Sequence, residues 1–343
     1  MDPAAVWEGR GALARTARTL LMPAGWLYCG GVAVRNALFD IGARASHPTA
    51  VPALSVGNLT VGGTGKTPVA ADIARRLRDA GAHPGLILRG YGDDEPAVHA
   101  LLNPDVPVLT SPDRVSASER ARHEGCDVVV LDDAFQHRRA QRVVDVVVVA
   151  AEQWDAPRRC LPAGPYRELP SALQRATLVV VTRKSLDAAT AADVARAVAG
   201  IASVPVARVA LQLDALHRVG APGDVRALDS LHGAPVIAVA GVGAPRRVGE
   251  QLEALGARVD LVSFPDHHRF TDDDVAAILR RSPASASVVC TLKDAVKLER
   301  LWPRAAPPLW YVSQRVAIEA GAPAYTAAIQ RLLDARSHDP ILR

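Results

Sequence analysis

The expected fold of this chain follows from one stretch of sequence, Ser55-Val56-Gly57-Asn58-Leu59-Thr60-Val61-Gly62-Gly63-Thr64-Gly65-Lys66-Thr67-Pro68. The apolar residues from Ala53 to Val56 precede the glycines and predict a strand. Pro68 suits the first turn of a helix, where its missing N–H costs nothing, and apolar residues recur at helical spacing after it. We therefore predict a strand, a glycine-rich turn and a helix N-terminus. In that arrangement backbone N–H groups and the positive end of the helix dipole face an anion.

The residues of this turn are of the types that bind nucleotide phosphates. A lysine here reaches the β- and γ-phosphates, and the hydroxyl of the next residue holds Mg²⁺, which assigns these roles to Lys66 and Thr67. Thr60 stands where a glycine is usual, and the glycine pair after it supplies the flexibility instead. The predicted nucleotide-binding residues are Thr60, Val61, Gly62, Gly63, Thr64, Gly65, Lys66 and Thr67.

Two further strand ends carry acidic residues. The run from Asp127 to Asp133 is apolar in its middle and predicts a buried strand. An Asp at the end of such a strand is the usual second contact of P-loop enzymes to Mg²⁺, so Asp132, with Asp133 beside it, is the expected carboxylate. The strand Gly85–Leu88 is followed by three consecutive acids, residues 93–95, where α/β folds bind ligands; a solvated turn explains them equally well.

Composition limits the class of protein. The chain has 343 residues, of which 49% are hydrophobic and 22% charged, so it is globular and long enough for two domains. A net charge of +4 suits an anionic substrate or a membrane surface and does not require nucleic acid. Cys29, Cys126, Cys160 and Cys290 are far apart, which argues against a metal site or a disulfide framework and fits a reducing cytoplasm.

The N-terminal region is basic and apolar. Residues 9–39 contain no Asp or Glu but several arginines, and apolar residues follow helical spacing. The uncharged run Thr19–Val34 is shorter than the roughly 20 residues that span a bilayer, and Pro23 and a glycine pair interrupt it. We predict an amphipathic helix in a membrane interface. The alternative, a helix packed on the protein's own core, stays open on these residues alone.

Strands and helices alternate along the rest of the chain, which predicts an α/β fold with a mostly parallel sheet. We expect a P-loop NTPase-like domain, a second, smaller α/β domain and the N-terminal membrane-associating helix. The expected bounds are 1–45 for the N-terminal element, 46–150 for the P-loop domain and 151–343 for the C-terminal domain, whose last helix could pack back on the first domain. Turn-rich segments at residues 152–170 and 216–235 are both candidates for the boundary between the two domains.

Six motifs occur here in one order: the glycine-rich turn, Arg-Gly-Tyr-Gly, Asp-Asp-x-Phe-Gln-His, Leu-Pro-Ala-Gly-Pro-x-Arg-Glu, Phe-Pro-Asp-His-His and Thr-x-Lys-Asp-Ala-Val-Lys-Leu. Together they resemble the tetraacyldisaccharide 4′-kinase (lipid A 4′-kinase) family, from about Pro23 to Val312. The resemblance implies that ATP, with Mg²⁺, phosphorylates the 4′-hydroxyl of a tetraacyl glucosamine disaccharide 1-phosphate to give lipid IVA. It also implies peripheral attachment to the cytoplasmic face of the inner membrane, and neither nucleic acid nor an obligate protein partner.

The resemblance also implies roles for single residues. Asp94 matches the catalytic base if the Glu-Pro that follows it is held in register, and His267 matches its partner. Lys66 joins them as a catalytic residue, and Thr67, Asp132 and Asp133 match the metal contacts. The positions that match residues near substrate and nucleotide are Tyr91, Gln136, Arg167 and Glu168.

The sequence departs from the family pattern in one place that matters for the base. A longer insert usually separates Arg-Gly-Tyr-Gly from Gly-Asp-Glu-Pro, and here the two motifs are fused, so Asp93 and Asp94 compete for the role. Two other functions stay open: a membrane-associated GTPase or ATPase switch, and a scaffold with a degenerate nucleotide site. Thr291-Leu292-Lys293-Asp294 lacks the spacing of a guanine-reading motif, and the intact Gly65-Lys66-Thr67 argues against the scaffold.

Overall fold

The computed structural model describes residues 6–7, 9, 11–90, 94–221, 223–266, 268–283 and 285–338. Tyr91, Asp93 and His267 therefore lie outside the described residues. The chain forms two compact units, one built from residues 1–90, 103–211 and 316–343 and the other from residues 91–102 and 212–315.

The secondary structure alternates between strands and helices, as the sequence predicts. The strands are β1 (Ala53–Asn58), β2 (Pro84–Leu88), β3 (Val108–Thr110), β4 (Val128–Asp132), β5 (Val144–Ala150), β6 (Leu178–Arg183), β7 (Val206–Arg218), β8 (Val225–Ala227), β9 (Pro235–Ala240), β10 (Arg258–Ser263), β11 (Ser287–Thr291) and β12 (Leu309–Ala320). The α-helices are α1 (Ala12–Asp40), α2 (Lys66–Asp79), α3 (Asp94–Leu102), α4 (Arg114–His123), α5 (Ala188–Ile201), α6 (Pro245–Glu253), α7 (Asp272–Arg281), α8 (Leu292–Leu298) and α9 (Ala322–Ser337).

The first unit is a parallel sheet with β1 at its centre. The strand order is β7-β6-β5-β1-β4-β2-β3, and each neighbouring pair is parallel. Every residue of β1 and β4 is buried, because helices cover both faces of such a sheet. Val56 on β1 is in register with Asp132 on β4. The glycine-rich turn and the acidic pair therefore follow neighbouring strands at the same edge, and the predicted α/β fold is confirmed.

The unit boundary differs from the one expected at residue 150. Residues 151–211 belong to the first unit, because β6 continues the parallel ladder beside β5, with Val146 opposite Leu178. The turn-rich segment after residue 150 looks like a linker in sequence but returns the chain to the same sheet. The C-terminal helix α9 also belongs to the first unit: the Tyr325 hydroxyl donates to Asp72 Oδ2 on α2 at 3.0 Å.

The second unit has its own parallel strands, in the order β10-β9-β11-β12. Helices α3 and α8 of this unit pack against one another. Helix α7 begins with a capping box, in which the Thr271 hydroxyl accepts from the Asp274 backbone and the Asp274 carboxylate accepts from the Thr271 backbone. This arrangement satisfies two backbone donors at the helix start.

Helix α1 exposes an apolar stripe. Leu13, Leu20, Leu27 and Val34 are 73%, 75%, 79% and 61% exposed, and they recur every seven residues along one side of the helix. Gly25 is the one buried residue of α1, and a Cβ there would lie 3.2 Å from the carbonyl oxygen of Cys160. These exposures disagree with packing of the stripe on the protein's own core. Among the described residues, no helix is both long enough and apolar enough to cross a membrane.

The expectation that the widely spaced cysteines form no disulfide framework is wrong for one pair. Cys29 on α1 and Cys160 form a disulfide, with 6.0 Å between their Cα atoms and 131 residues between them in sequence. Sequence spacing detects pairs that are close along the chain, whereas this pair is brought together by the packing of α1 on the loop that contains Cys160. Cys126 and Cys290 are free and buried.

The disulfide predicts the thiol count of the denatured protein. Alkylation in denaturant without reductant is expected to modify two cysteines, Cys126 and Cys290, and alkylation after reduction all four. Cys29→Ser frees Cys160 and raises the unreduced count by one. Mass spectrometry of the alkylated chain gives the number directly, and four modified cysteines before reduction would contradict the pairing.

Candidate nucleotide and phosphotransfer site

The glycine-rich turn is shaped by its backbone. It begins where β1 ends at Asn58 and closes at Gly65, the residue before α2, which has a left-handed φ of 91°. A Cβ at Gly65 would lie 2.6 Å from Leu211 Cδ1, so both conformation and space favour glycine. The side chain of Asn58 donates to Thr64 Oγ1 at 2.9 Å, and Thr182 Oγ1 donates to the Thr64 carbonyl at 2.8 Å. These two hydrogen bonds fix the position of Thr64 within the turn.

Neighbouring segments hold the rim of the turn. The Val61 N–H donates to the Pro165 carbonyl at 2.9 Å, and the Arg167 N–H donates to the Leu59 carbonyl at 2.7 Å. Lys184 Nζ donates to the Gly63 carbonyl at 2.8 Å. The Leu-Pro-Ala-Gly-Pro-x-Arg-Glu motif therefore contacts the predicted phosphate loop, although about a hundred residues separate them in sequence.

Asp133 lies between two cations. Its carboxylate accepts from Arg167 Nη1 and Nη2, each at 3.0 Å, and its Oδ1 is 3.6 Å from Lys66 Nζ. Burial works to raise the pKa of this carboxyl, but Lys66 and Arg167 outweigh burial and lower it. Asp133 also has a positive φ of 50°, unusual for a residue other than glycine. The result is a carboxylate held ionised beside the lysine of the turn.

The acidic pair fits a magnesium ion. Asp132 is buried at the end of β4, and its Oδ1 accepts from the Asp133 N–H at 2.8 Å. Among the described residues, no group of three or more His, Cys, Asp or Glu could hold a metal by itself. Mg²⁺ in phosphotransferases uses one or two carboxylates and completes its shell with phosphate oxygens and water. Thr67, Asp132 and Asp133 are a donor set of that kind.

Glu168 and Gln136 form a polar network next to this pair. Glu168 is 3% exposed, and its carboxylate accepts from Arg175 Nη2 at 2.9 Å and from Gln136 Nε2 at 3.0 Å. Gln136 Nε2 also donates to the Asn58 carbonyl at 2.9 Å. Arg167 links the network to the acidic pair, because it donates to Asn58 Oδ1 at 2.7 Å. The structure therefore brings together Gln136, Arg167 and Glu168.

Asp94 belongs to the second unit. It is the first residue of α3, is 5% exposed, and its Oδ2 lies 3.5 Å from Lys297 Nζ on α8. Its predicted partner His267, its competitor Asp93 and Tyr91 lie outside the described residues, so the base assignment stays a prediction. The adjacent His268 is bound elsewhere: its Nε2 is 3.0 Å from Asp274 Oδ2.

Sequence reasoning assigned no role to two side chains at the loop, Asn58 and Lys184, or to Arg114 near the acidic pair. Arg114 is 1% exposed, and burial and the charge of Arg89 lower its pKa, against the opposing effect of Asp133 and Asp132. Lys184 stands in no motif that signals nucleotide binding, and its contact with Gly63 joins segments 121 residues apart. Asn58 stands in the glycine-rich stretch, but its contact with Arg167 is visible only in the fold.

The parallel sheet, the glycine-rich turn before α2, and an acidic residue ending the adjacent strand define a class: a P-loop nucleotide-binding protein. A family model described as tetraacyldisaccharide-1-P 4′-kinase matches residues 17–104 and 92–334. The chain belongs to this family.

Related proteins agree with the family. The tetraacyldisaccharide 4′-kinase of Anaeromyxobacter dehalogenans (strain 2CP-C) is 39% identical over 329 residues, which cover 86% of this chain and 85% of the relative. That of Aromatoleum aromaticum is 34% identical and covers 97% of both chains. The crystal structure of LpxK from Aquifex aeolicus in complex with ATP aligns with a TM-score of 0.74 and 26% identity, covering 92% of this chain and 99% of that one.

The half-buried imidazole of His137, next to Gln136 in the chain, gives the free energy of unfolding a pH dependence. Burial lowers the pKa of His137 to about 4, with the charges of Arg114 and Arg142 acting in the same direction. An unfolded His binds a proton below about pH 6.5, so between these values the unfolded chain binds more protons. The contribution of His137 to the free energy of unfolding has its full value above the pKa of the unfolded chain. It decreases as the pH drops towards about 4.

Urea unfolding of His137→Gln between pH 7 and pH 4 tests this dependence. The variant is expected to lose stability less steeply with falling pH than the wild type, because Gln does not titrate. His123→Gln, which changes an exposed histidine on α4, serves as the matched control and keeps the wild-type slope. Identical slopes for His137→Gln and the wild type would rule out this role of His137.

Proposed function

We propose that the protein is an ATP-dependent kinase that transfers the γ-phosphate to the 4′-hydroxyl of a tetraacyl glucosamine disaccharide 1-phosphate. The products are lipid IVA, ADP and a proton. The observation that carries the proposal is the arrangement of Lys66, Asp133 and Arg167 beside the glycine-rich turn in a chain of this kinase family. ATP and Mg²⁺ are the nucleotide and metal that the family uses.

The first unit supplies the phosphate-binding groups. Backbone N–H groups of the turn bind the β- and γ-phosphates, apart from those of Val61 and Thr64, which donate to protein carbonyls. Lys66 neutralises charge on the transferred group. Thr67 and the acidic pair, with Asp132 as the first carboxylate, would hold Mg²⁺, which when bound would offset negative charge on the phosphates. Phosphate transfer passes through a loose, charge-rich transition state, so such placement is worth about 3–4 kcal/mol of barrier for one charge donor.

The acceptor proton needs a base. A sugar hydroxyl loses its proton as the O–P bond forms, and we assign that proton to the Asp94 carboxylate, oriented by His267. Lys297 Nζ lies 3.5 Å from the Asp94 carboxylate. Tyr91 and Arg167 are assigned to substrate and nucleotide contacts. Gln136 and Glu168 support these contacts through Asn58, which they reach through the Gln136 side-chain amide.

We also assign the protein to the cytoplasmic face of the inner membrane as a peripheral protein. The support is the apolar stripe of α1, with Trp26 beside it 67% exposed, and the arginines on the same helix. An interfacial helix inserts its apolar side chains at the headgroup boundary and keeps its basic ones outside. The acyl chains of the proposed substrate lie in the same layer.

Transfer of labelled phosphate tests the kinase function. With γ-labelled ATP and a tetraacyl disaccharide 1-phosphate in detergent micelles, the wild type is expected to label the lipid, and Lys66→Ala to lose at least about a hundredfold in rate. ATP hydrolysis that needs no acceptor and leaves the lipid unlabelled would contradict the kinase and favour the switch. Asp94→Ala is expected to lose transfer. If Asp93→Ala loses transfer and Asp94→Ala keeps it, the base is Asp93.

Vesicle binding tests the membrane assignment. Leu20→Asp and Leu27→Asp put a charge on the stripe. Each is expected to weaken co-sedimentation with anionic vesicles roughly tenfold or more, because each removes a leucine that the lipid surface would bury. Val225→Asp changes an apolar residue that is 50% exposed in the second unit and serves as control. Equal binding by all three variants and the wild type would contradict an interfacial α1.

A further inference from the structure

We propose that Asn36 is a positioning residue that couples helix α1 to the nucleotide loop through Glu168, Gln136 and Asn58. This inference rests on the proposed function, since it assigns a purpose to contacts between the membrane-facing helix and the ATP-binding turn. All the residues involved belong to the first unit.

The connection begins on α1. Asn36 Nδ2 donates to Glu168 Oε2 at 2.6 Å. Neighbouring contacts hold the same part of the helix: Arg35 donates to the Gln136 carbonyl, and Arg138 Nη1 donates to the Asn36 carbonyl at 2.9 Å. Because Glu168 is almost fully buried, a donor lost from its carboxylate is not replaced by water.

The connection continues to the loop. The second carboxylate oxygen of Glu168 accepts from Gln136, whose amide also donates to the Asn58 backbone. The Asn58 side chain then joins both parts of the nucleotide site. Its side-chain amide N–H donates to Thr64 Oγ1 inside the loop, and its side-chain carbonyl accepts from Arg167. Arg167 in turn donates to the Asp133 carboxylate. Every link from α1 to the acidic pair is thus a hydrogen bond of 3.0 Å or less.

The side of α1 opposite Asn36 carries the exposed apolar stripe, so the connection would link a lipid surface to the nucleotide loop. Leu27 and Val34 of the exposed stripe lie on the same helix as Asn36, within three turns of it. Insertion of the stripe into a lipid surface orders the helix that carries Asn36, and ATP binding orders the loop at the other end of the connection. Two ligands that order the same connected structure favour each other, and the effect is reciprocal. Lipid is therefore expected to tighten ATP binding.

Calorimetric titration of the full chain with ATP and Mg²⁺, with and without phosphatidylglycerol-containing vesicles, tests this coupling without requiring phosphate transfer. The wild type is expected to bind ATP about fivefold tighter with vesicles. Asn36→Leu, which removes the donor at similar volume, is expected to weaken ATP binding by a similar factor and to abolish the effect of vesicles. Asn103→Ala is the matched control: it removes another buried amide, which donates to the Ala71 carbonyl, without touching the connection.

A second variant separates positioning from stability. Asn36→Asp places a carboxyl against Glu168, so it is expected to weaken ATP binding more at pH 8 than at pH 6, where a shared proton restores the hydrogen bond. A loss of stability alone would lower the melting temperature of both Asn36 variants, as in Asn103→Ala, and leave their ATP affinity and its pH dependence unchanged. That result would overturn the coupling.

The outcome for Lys66→Ala distinguishes the two proposals. Loss of ATP binding in Lys66→Ala, with unchanged affinity in both Asn36 variants, overturns the coupling and keeps the proposed nucleotide site. Full ATP affinity in Lys66→Ala overturns the proposed site and the coupling with it. Weakened binding in Lys66→Ala and in both Asn36 variants, with Asn103→Ala at the wild-type affinity, supports both.

Discussion

The site depends on one interaction, the pairing of the Asp133 carboxylate with Arg167 on one side and Lys66 on the other. Burial alone would favour the protonated carboxyl, and the two cations reverse that preference. The carboxyl of Asp133 is therefore held in its ionised form beside the lysine of the turn. The same pairing joins three distant segments: the start of α2, the end of β4 and the motif that contains Arg167.

Close backbone packing makes the pairing possible. The residues after β4 approach β1 so closely that a Cβ at Gly57 would lie 2.5 Å from Phe135 Cβ. No larger side chain fits there without displacing the backbone that carries Asp133 and Gln136. Glu168 accepts hydrogen bonds from Gln136 and from Asn36 on α1, so the polar network extends from the site to α1. Nucleotide loop, acidic pair and N-terminal helix thus form one connected hydrogen-bonded structure.

Elements that depend on residues close together in sequence were predicted correctly. The glycine-rich turn, β1, α2 and the strand before Asp132 follow from hydrophobic periodicity and from glycine at the turn, so sequence alone located them. The Cys29–Cys160 pair was not foreseen, because it results from packing between distant segments. For the same reason, the contacts of Asn36 and Asn58 with Glu168 and Arg167 were not predicted. The unit boundary at residues 211–212 lies within β7, close to the second of the two turn-rich segments that the sequence offers as a boundary. Asp94 with His267 stays a prediction, since His267 lies outside the described residues.

A double-mutant cycle on Arg167 and Asp133 tests the central claim most directly. The quantity measured is kcat/KM for phosphate transfer to the lipid, for Arg167→Ala, Asp133→Ala and the double variant. If Arg167 acts by holding Asp133, the double variant loses about as much as the worse single variant, because neighbouring groups that act as a unit are not additive. Losses that simply multiply would mean that the two residues act independently and would contradict the account.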